Sequence, residues 1–186
     1  AYAEKLQSVF DSGEDLTLPA DFSGAPLTKS GDGSTVSDPR VIPQKQDGLY
    51  AVVYHPIGGQ PDMETFLALC DLIASIPDAE LRLSPDETAY IVNLTGAEAV
   101  RVLAATEEDS ARTPFEMSVS CIGASTCQVG VRDSQALLRA SVKAVRAAGI
   151  PANALPKIHI SGCPSSCGTH QTSPIGFRGG MKKVDG

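Results

Sequence analysis

Four of the five cysteines fall into two pairs, and this pairing constrains the fold more than any other feature of the chain. Cys121 and Cys127 are separated by five residues (CIGASTC), and 35 residues then intervene before Cys163 and Cys167, which are separated by three (CPSSC). Two pairs that far apart act together only if the chain between them returns to its starting point. The sequence supplies the means. Residues 115–120 read as a strand leading into the first pair. Asp133 or Ser134 caps a long helix that Gly149 ends, with Pro151 just beyond as a stop. Residues 157–161 (KIHIS) alternate like a strand and deliver the second pair, and Ile175–Arg178 reads as a last strand. Both pairs are therefore predicted on loops at strand ends, where side chains converge.

Three kinds of site use four cysteines. A structural zinc ion draws its ligands from knuckles of two- to four-residue spacing. Cys163 and Cys167 satisfy that, but the gap in CIGASTC is too wide. Disulfides belong to oxidising compartments and to small chains without a core. This chain has no basic-then-apolar secretory start, and its 42% apolar content supplies an ordinary core. The third reading is a cubane 4Fe–4S cluster held by four thiolates, whose edges exceed the ligand shell of one ion and suit wider spacings. Gly123, Ser125 and Thr126 make the first loop small, with backbone N–H groups free to face sulfides, and Pro164 stiffens the second. Gly162 and Gly168 flank that second loop and permit close approach of a flat ligand or another backbone. The fifth cysteine, Cys70, lies on the apolar face of a predicted helix and reads as core.

A chain of 186 residues forms one ordinary domain or two small packed lobes. Residues 1–46 read as a short amphipathic helix, with Leu6, Val9 and Phe10 on its apolar side, and a connecting segment rich in Gly, Pro, Ser and Asp. Residues 47–108 form the first lobe and 109–186 the second. Residues 48–54 (GLYAVVY) are β-rich. Asp62 caps a helix whose apolar residues Met63, Phe66, Leu67, Cys70, Ile73 and Ile76 are expected on one face. Two strands follow, near 79–83 and Ala89–Leu94, and Thr95-Gly96-Ala97-Glu98 has capping-box spacing at the start of a helix through Val100, Val102 and Leu103. Strand–helix–strand–strand–helix is a split βαβ unit of the ferredoxin-like kind. The expected class is α+β, a ferredoxin-like half domain followed by an α/β lobe that carries the cysteines.

The net charge of −7 conceals an asymmetry: residues 1–110 carry 19 acids and 6 bases, residues 111–186 carry 3 acids and 9 bases. A basic surface beside the cysteines suits an anionic cofactor or substrate. The alternative is that Arg139, Lys143 and Arg146 are a solvated helical face. An aromatic content of 5% in an acidic chain speaks against nucleic acid as a partner. No apolar run approaches the ~20 residues that span a bilayer, so a cytoplasmic protein with no membrane partner is expected. The chain opens without Met and stops just after a Gly-rich stretch, which predicts a piece of a longer polypeptide, with 109–186 truncated.

The spacing C-x5-C…C-x3-C, with Ser161-Gly162-Cys163-Pro164 at the second pair and Ile175-Gly176-Phe177 soon after it, resembles the signature of the sirohaem-dependent sulfite and nitrite reductase family. Residues 48–106 resemble that family's ferredoxin-like half domain, with Leu81-Arg82-Leu83-Ser84 where the family has an Arg-x-Thr motif. The resemblance runs from residue 46 to the end and is to the second of the family's two related halves. It implies that Cys121, Cys127, Cys163 and Cys167 bind a 4Fe–4S cluster. It further implies that Cys167 is an axial ligand to the sirohaem iron, and so the candidate catalytic residue, with Ser161, Gly162, Ser165 and Ser166 lining the haem beside it. The implied reaction is multi-electron reduction of nitrite to ammonia or of sulfite to sulfide. A ferredoxin or a separate flavoprotein is the implied electron donor, since no dinucleotide-binding Gly motif follows a strand. A precorrin-3B synthase-like cluster enzyme and a non-catalytic four-cysteine metal or electron-transfer module are the alternatives. The Cys-Gly-Thr-His…Ile-Gly-Phe-Arg-Gly tail is closer to the reductases.

Three departures from the family pattern carry expectations of their own. Ser165 stands where the family usually has Asn, and its shorter reach predicts that the hydrogen bond made there is lost or remade through water. Glu87, beside Asp86, replaces a usual Gln; an acidic pair near a polyanionic haem is unfavourable, which predicts that this turn faces elsewhere. Lastly, the family's substrate-binding Arg and Lys residues come mainly from the first half-repeat, which this chain does not resemble. Local basic candidates are Lys157, His159, His170, Arg178, Lys182 and Lys183; His170 is the better placed, and His159 reads as a packed or surface histidine. The chain without its missing half is expected to be inactive.

Overall fold

The computed structural model describes residues 2–13 and 27–182. A first helix, α1 (Tyr2–Asp11), buries none of its residues, and Tyr2, Leu6 and Phe10 are all exposed. Four strands then form one antiparallel sheet: β1 (Val41–Pro43), β2 (Tyr50–Tyr54), β3 (Glu80–Leu83) and β4 (Ala89–Leu94), in the order β1-β2-β4-β3. β2 and β3 both run antiparallel to β4, so they are parallel to each other with β4 inserted between them, as the split βαβ reading requires. β1 was not foreseen. It lies within the Gly- and Pro-rich linker and ends in Pro43, a residue tolerated at a sheet edge because no ladder hydrogen bond is needed on the outer side.

Two helices pack on this sheet, α2 (Met63–Ala74) and α3 (Gly96–Ala105). Asp62 caps α2 by accepting from the Thr65 N–H at 2.9 Å. Thr95 and Glu98 form the anticipated capping box of α3, and Glu98 also meets Lys29 at 2.7 Å. The buried core unites Val52, Tyr54, Leu69, Ile76, Ile91, Leu94, Ala99 and Val102. The inward face of α2 differs from expectation. Leu69 is its fully buried residue, flanked by Phe66, Leu72 and Ile73, while Met63 and Leu67 point outward. Counted from Ile76, the stripe runs back through 73, 72, 69 and 66, which is the 3.6-residue period of a helix lying on a sheet.

The second core has a parallel sheet of three strands, β5 (Val119–Ser120), β6 (Ile158–Ser161) and β7 (Ile175–Arg178), in that order. Parallel neighbours need a crossover, and α4 (Ser134–Ala147) provides the one from β5 to β6. Asp133 caps α4 through the Ala136 N–H at 2.9 Å, and Gly149 follows its end at φ 62°. Phe115, Leu138, Val142, Ile158 and Ile160 are the buried core. The predicted strand over 115–120 shortens to its last two residues. The backbone before them is taken by a turn, with the Met117 N–H donating to the Thr113 carbonyl and the Ser118 N–H to the Phe115 carbonyl. The buried Glu116 carboxylate fastens that turn, accepting from the Arg112 N–H and from Arg146 Nε, each at 2.6 Å. A short helical turn at Ile57–Gly59 joins the two cores, and the buried Gln135 amide donates to the Gly58 carbonyl at 2.9 Å. Among the described residues no helix is long and apolar enough to cross a membrane.

Candidate functional site

β5 and β6 are adjacent and parallel, so they end on the same side, and the loops that follow them meet. Cys121 directly follows β5, and its N–H donates to the Ile160 carbonyl of β6 at 3.0 Å. Gly162 and Cys163 follow β6. The two loops are stitched together, with the Val131 and Arg132 N–H groups both donating to the Gly162 carbonyl at 3.1 and 2.9 Å. Gly123, at φ 68°, turns the first loop back so that the Cys127 N–H reaches its carbonyl at 2.9 Å. The second loop is held against β6 by Ser161, whose hydroxyl accepts from the Gly168 N–H at 3.2 Å and pairs with His170 Nδ1 at 2.9 Å. Ser166 and Thr169 adopt the left-handed region, at φ 63° and 49°, which few residues other than glycine do.

This stitching gathers Cys121, Cys127, Cys163 and Cys167 around one cavity of about 210 Å³, together with Ser161, Gly162 and Ser165. A single ordered water needs only ~10–15 Å³, so the space is that of a group, not of an atom. Among the described residues, no three Cys, His, Asp or Glu side chains are placed to hold a single metal ion. Cys163 is 8% exposed, Cys121 and Cys127 are half-buried, and Cys167 alone is exposed. Cys70 lies apart, half-buried on α2.

Hydrogen-bonding groups lie against two of the sulfurs. The Gly162 N–H donates to Cys121 Sγ at 3.1 Å, and the Ser134 hydroxyl sits 3.1 Å from the same sulfur. The hydroxyl and then the backbone N–H of Ser165 hold the Cys163 thiol below the ordinary cysteine pKa. The Ser165 side chain thus turns onto the neighbouring sulfur. Ser166 is not among the residues lining the cavity; its hydroxyl donates to the Pro164 carbonyl and accepts from Gln171.

Glu87 is placed differently from expectation. The turn carrying it was expected to face elsewhere, yet Glu87 lines the same cavity as the cysteines. Its left-handed backbone, φ 66°, lays the side chain against Gly59, where a Cβ would stand 3.1 Å from it. Burial pushes its carboxyl up to about 7, against a smaller lowering by the Ser120 N–H and a further raising by Asp86. One carboxyl oxygen, Oε2, is buried without a partner. Burial raises the group into the neutral range, so it carries less of the charge that the expectation was built on.

The basic candidates distribute differently from the charge count. None of the residues lining the cysteine cavity is basic. Arg139, Lys143 and Arg146 line a separate groove of about 750 Å³ that also contains Asp62 and Asp109. Arg139 reaches Gln60 at 2.7 Å there, while Arg146 pairs with Glu116. His159 Nδ1 meets the Thr169 hydroxyl at 2.9 Å, and Arg82, exposed, pairs with Glu80 at 2.8 Å. Lys157 is near enough to His55 to depress that histidine, after burial, to about 4. Arg178 and Lys182 are exposed, and Lys183 lies outside the described residues. Ser134, Gln135 and Glu87 are the site residues that the sequence did not single out as such. Only the position of Ser134 at a helix start hinted at it.

A ferredoxin-like unit joined to a parallel α/β lobe with a four-cysteine cavity at its strand ends defines the class: an α+β segment with four cysteines collected at one site. Comparisons name the relatives. No protein-family model matches the chain. It is 28% identical over 151 residues to ferredoxin–nitrite reductase of Synechococcus elongatus, covering 78% of this chain and 29% of that one. It is 30% identical over 152 residues to chloroplastic ferredoxin–nitrite reductase of Spinacia oleracea, covering 77% and 25%. With sulfite reductase [ferredoxin] 1 of Mycolicibacterium paratuberculosis it shares 26% identity over 144 residues, covering 72% and 26%. The fold matches the structure of Mycobacterium tuberculosis NirA protein with a TM-score of 0.62 at 22% identity, over 85% of this chain and 30% of that one. It matches dissimilatory sulfite reductase I with a TM-score of 0.55 at 18% identity, over 73% and 34%. The chain is thus a homologue of one segment of the nitrite and sulfite reductase family, as its cysteine signature indicated, and it spans between a quarter and three tenths of the curated relatives it matches.

Proposed function

We propose that this chain is the cluster-bearing part of a nitrite or sulfite reductase, in which Cys121, Cys127, Cys163 and Cys167 hold a 4Fe–4S cluster and Cys167 also serves a sirohaem. The observation that carries this reading is the single cavity that collects all four cysteines from two loops. The residues present fit the cluster: four thiols, donors at two of the sulfurs, and a cavity of about 210 Å³. Bound there, the cluster and haem would supply electrons and an iron that takes the small anion, nitrite or sulfite.

The chain's own residues divide the remaining work. Ser165 lowers the pKa of the Cys163 thiol, which favours the thiolate a metal requires, and the Gly162 N–H and the Ser134 hydroxyl lie against Cys121 Sγ. Gly123 and Gly162 keep side chains out of the loop contacts, and the burial of Cys163 keeps water from that sulfur. Cys167 faces outward, as a sulfur shared with a second cofactor must. Ser161, Gly162, Ser165 and Ser166 are the haem-side candidates, and residues 47–108 and 109–186 are the two functional lobes. The electron donor is a ferredoxin, as the names of the relatives suggest for them, and the substrate-binding cations come from a companion half-repeat.

Anaerobic incubation of the metal-free chain with iron and sulfide tests the reading. A broad visible absorption with about four irons per chain is expected, and it should vanish in Cys163→Ala. A colourless product that binds only zinc would refute it. Turnover of nitrite or sulfite by this chain alone would overturn the assignment of the substrate cations to another half.

A further inference from the structure

We propose that Ser134 is a positioning residue of the cysteine site: its buried hydroxyl holds Cys121 in place and raises the reduction potential of the cluster. This rests on the cluster reading above. Ser134 opens α4 and is 1% exposed. Its Oγ lies 2.7 Å from the Cys121 carbonyl oxygen and 3.1 Å from Cys121 Sγ, so one hydroxyl touches both ends of that residue. The neighbouring loop is shaped around it. A Cβ at Gly123 would stand 2.6 Å from Ser134 Oγ, and the positive φ of Gly123 suits glycine in any case.

The protons can be followed through ligation. In the free thiol, the Cys121 S–H donates to Ser134 Oγ while the Ser134 O–H donates to the carbonyl. A ligating thiolate has no proton to give, so the Ser134 hydroxyl becomes the only donor between those two atoms. A hydroxyl rotates to suit, and the buried Gln135 amide, 3.4 Å from the Cys121 carbonyl oxygen, stays beside the acceptor that the hydroxyl leaves. With the Gly162 N–H on the same sulfur, Cys121 then receives two donors. Reduction adds negative charge to the cluster, and hydrogen bonds to its sulfurs stabilise that charge, so each donor moves the potential upward.

Ser134→Ala separates this role from a fold role, because alanine is the strongest helix former and Asp133 remains as the cap. The full chain, reconstituted with iron and sulfide, is titrated with dithionite and followed by electron paramagnetic resonance. The expected result is full cluster content in Ser134→Ala with a midpoint displaced downward by about 59 mV, a tenfold change for a one-electron couple. Ser134→Thr, which keeps the hydroxyl, should recover most of the shift, and Ser141→Ala, two turns further along α4 with its hydroxyl on the Leu137 carbonyl, should show none. Equal potentials in Ser134→Ala and the parent, both fully loaded, would overturn the role of Ser134 and leave the cluster reading standing. A parent chain that takes up no iron and sulfide would overturn both.

Discussion

Replacing Glu87 with Gln should change how the stability of the metal-free chain depends on pH, and the size follows from the environment of the carboxyl. Burial raises that group from 4.5 to about 7. At about 1.36 kcal/mol per unit, the full shift corresponds to about 3 kcal/mol. Part of the side chain is solvated, so screening reduces this to roughly 1–2 kcal/mol. The sign follows from linkage. The folded carboxyl holds its proton more tightly than the unfolded one, so its stabilising effect is complete below about pH 4.5 and is lost as pH rises through about 7. Gln mimics the neutral acid and has no such loss. Parent and variant should therefore be close at pH 4.5, and the variant should be the more stable by roughly 1–2 kcal/mol at pH 8. Urea unfolding under reducing conditions at several pH values measures the difference. Taking it as a difference removes the titration of other groups that the substitution leaves unchanged. A variant that loses stability with pH in parallel with the parent would refute the placement of Glu87 in the cysteine cavity.

Other perturbations have equally definite outcomes. His55 is 1% exposed and depressed to about 4 by burial and Lys157; its folded form resists protonation, so stability should fall as pH drops from 6.5 towards 4, and His55→Gln should flatten that acid limb in the same urea series. Cys121→Ala and Cys127→Ala should each lose reconstituted iron, while Cys70→Ala keeps it, as read by iron content per chain. Leu69→Ala, at a site with no exposed surface, should cost about 3 kcal/mol in urea unfolding. Thr95→Ala removes one arm of the α3 capping box and should cost about 1 kcal/mol by the same measurement.

Much of the fold was legible because its signals are local. Asp62, Thr95 and Asp133 each satisfy orphan N–H groups at helix starts, and such caps depend on neighbours within three residues. The order of strands and helices followed from them. The inward face of α2 did not, because Met63, Leu67 and Cys70 are as apolar as Leu69, and only the sheet beneath decides which stripe is covered. At the site, the cysteine pairs announced their convergence through spacing, whereas the partners of the sulfurs came from elsewhere in the chain. Ser134 is a helix start whose contact with Cys121 depends on how the loop between β5 and α4 folds back. Glu87 sits in a turn of the other core and arrives through packing against Gly59. The charge count could not place the cations for a related reason: it sums over a segment, while Arg139, Lys143 and Arg146 of α4 line a groove that the cysteines do not share.

The exposure of Cys167 is the feature of the site least open to chance. Left-handed residues on both sides of it, Ser166 and Thr169, each cost on the order of 1–3 kcal/mol, so the loop keeps that shape only because its surroundings insist on it. They do so through Gly168, where a Cβ would collide with the Ile160 carbonyl, and through Ser161, which accepts from the Gly168 N–H and meets His170. The Thr169 N–H closes the turn onto the Ser166 carbonyl at 2.8 Å. A loop that served only to enclose a metal would gain by burying all four sulfurs. This one spends backbone strain to bury Cys163 and present Cys167, an arrangement with a use if something outside the cavity needs the fourth sulfur.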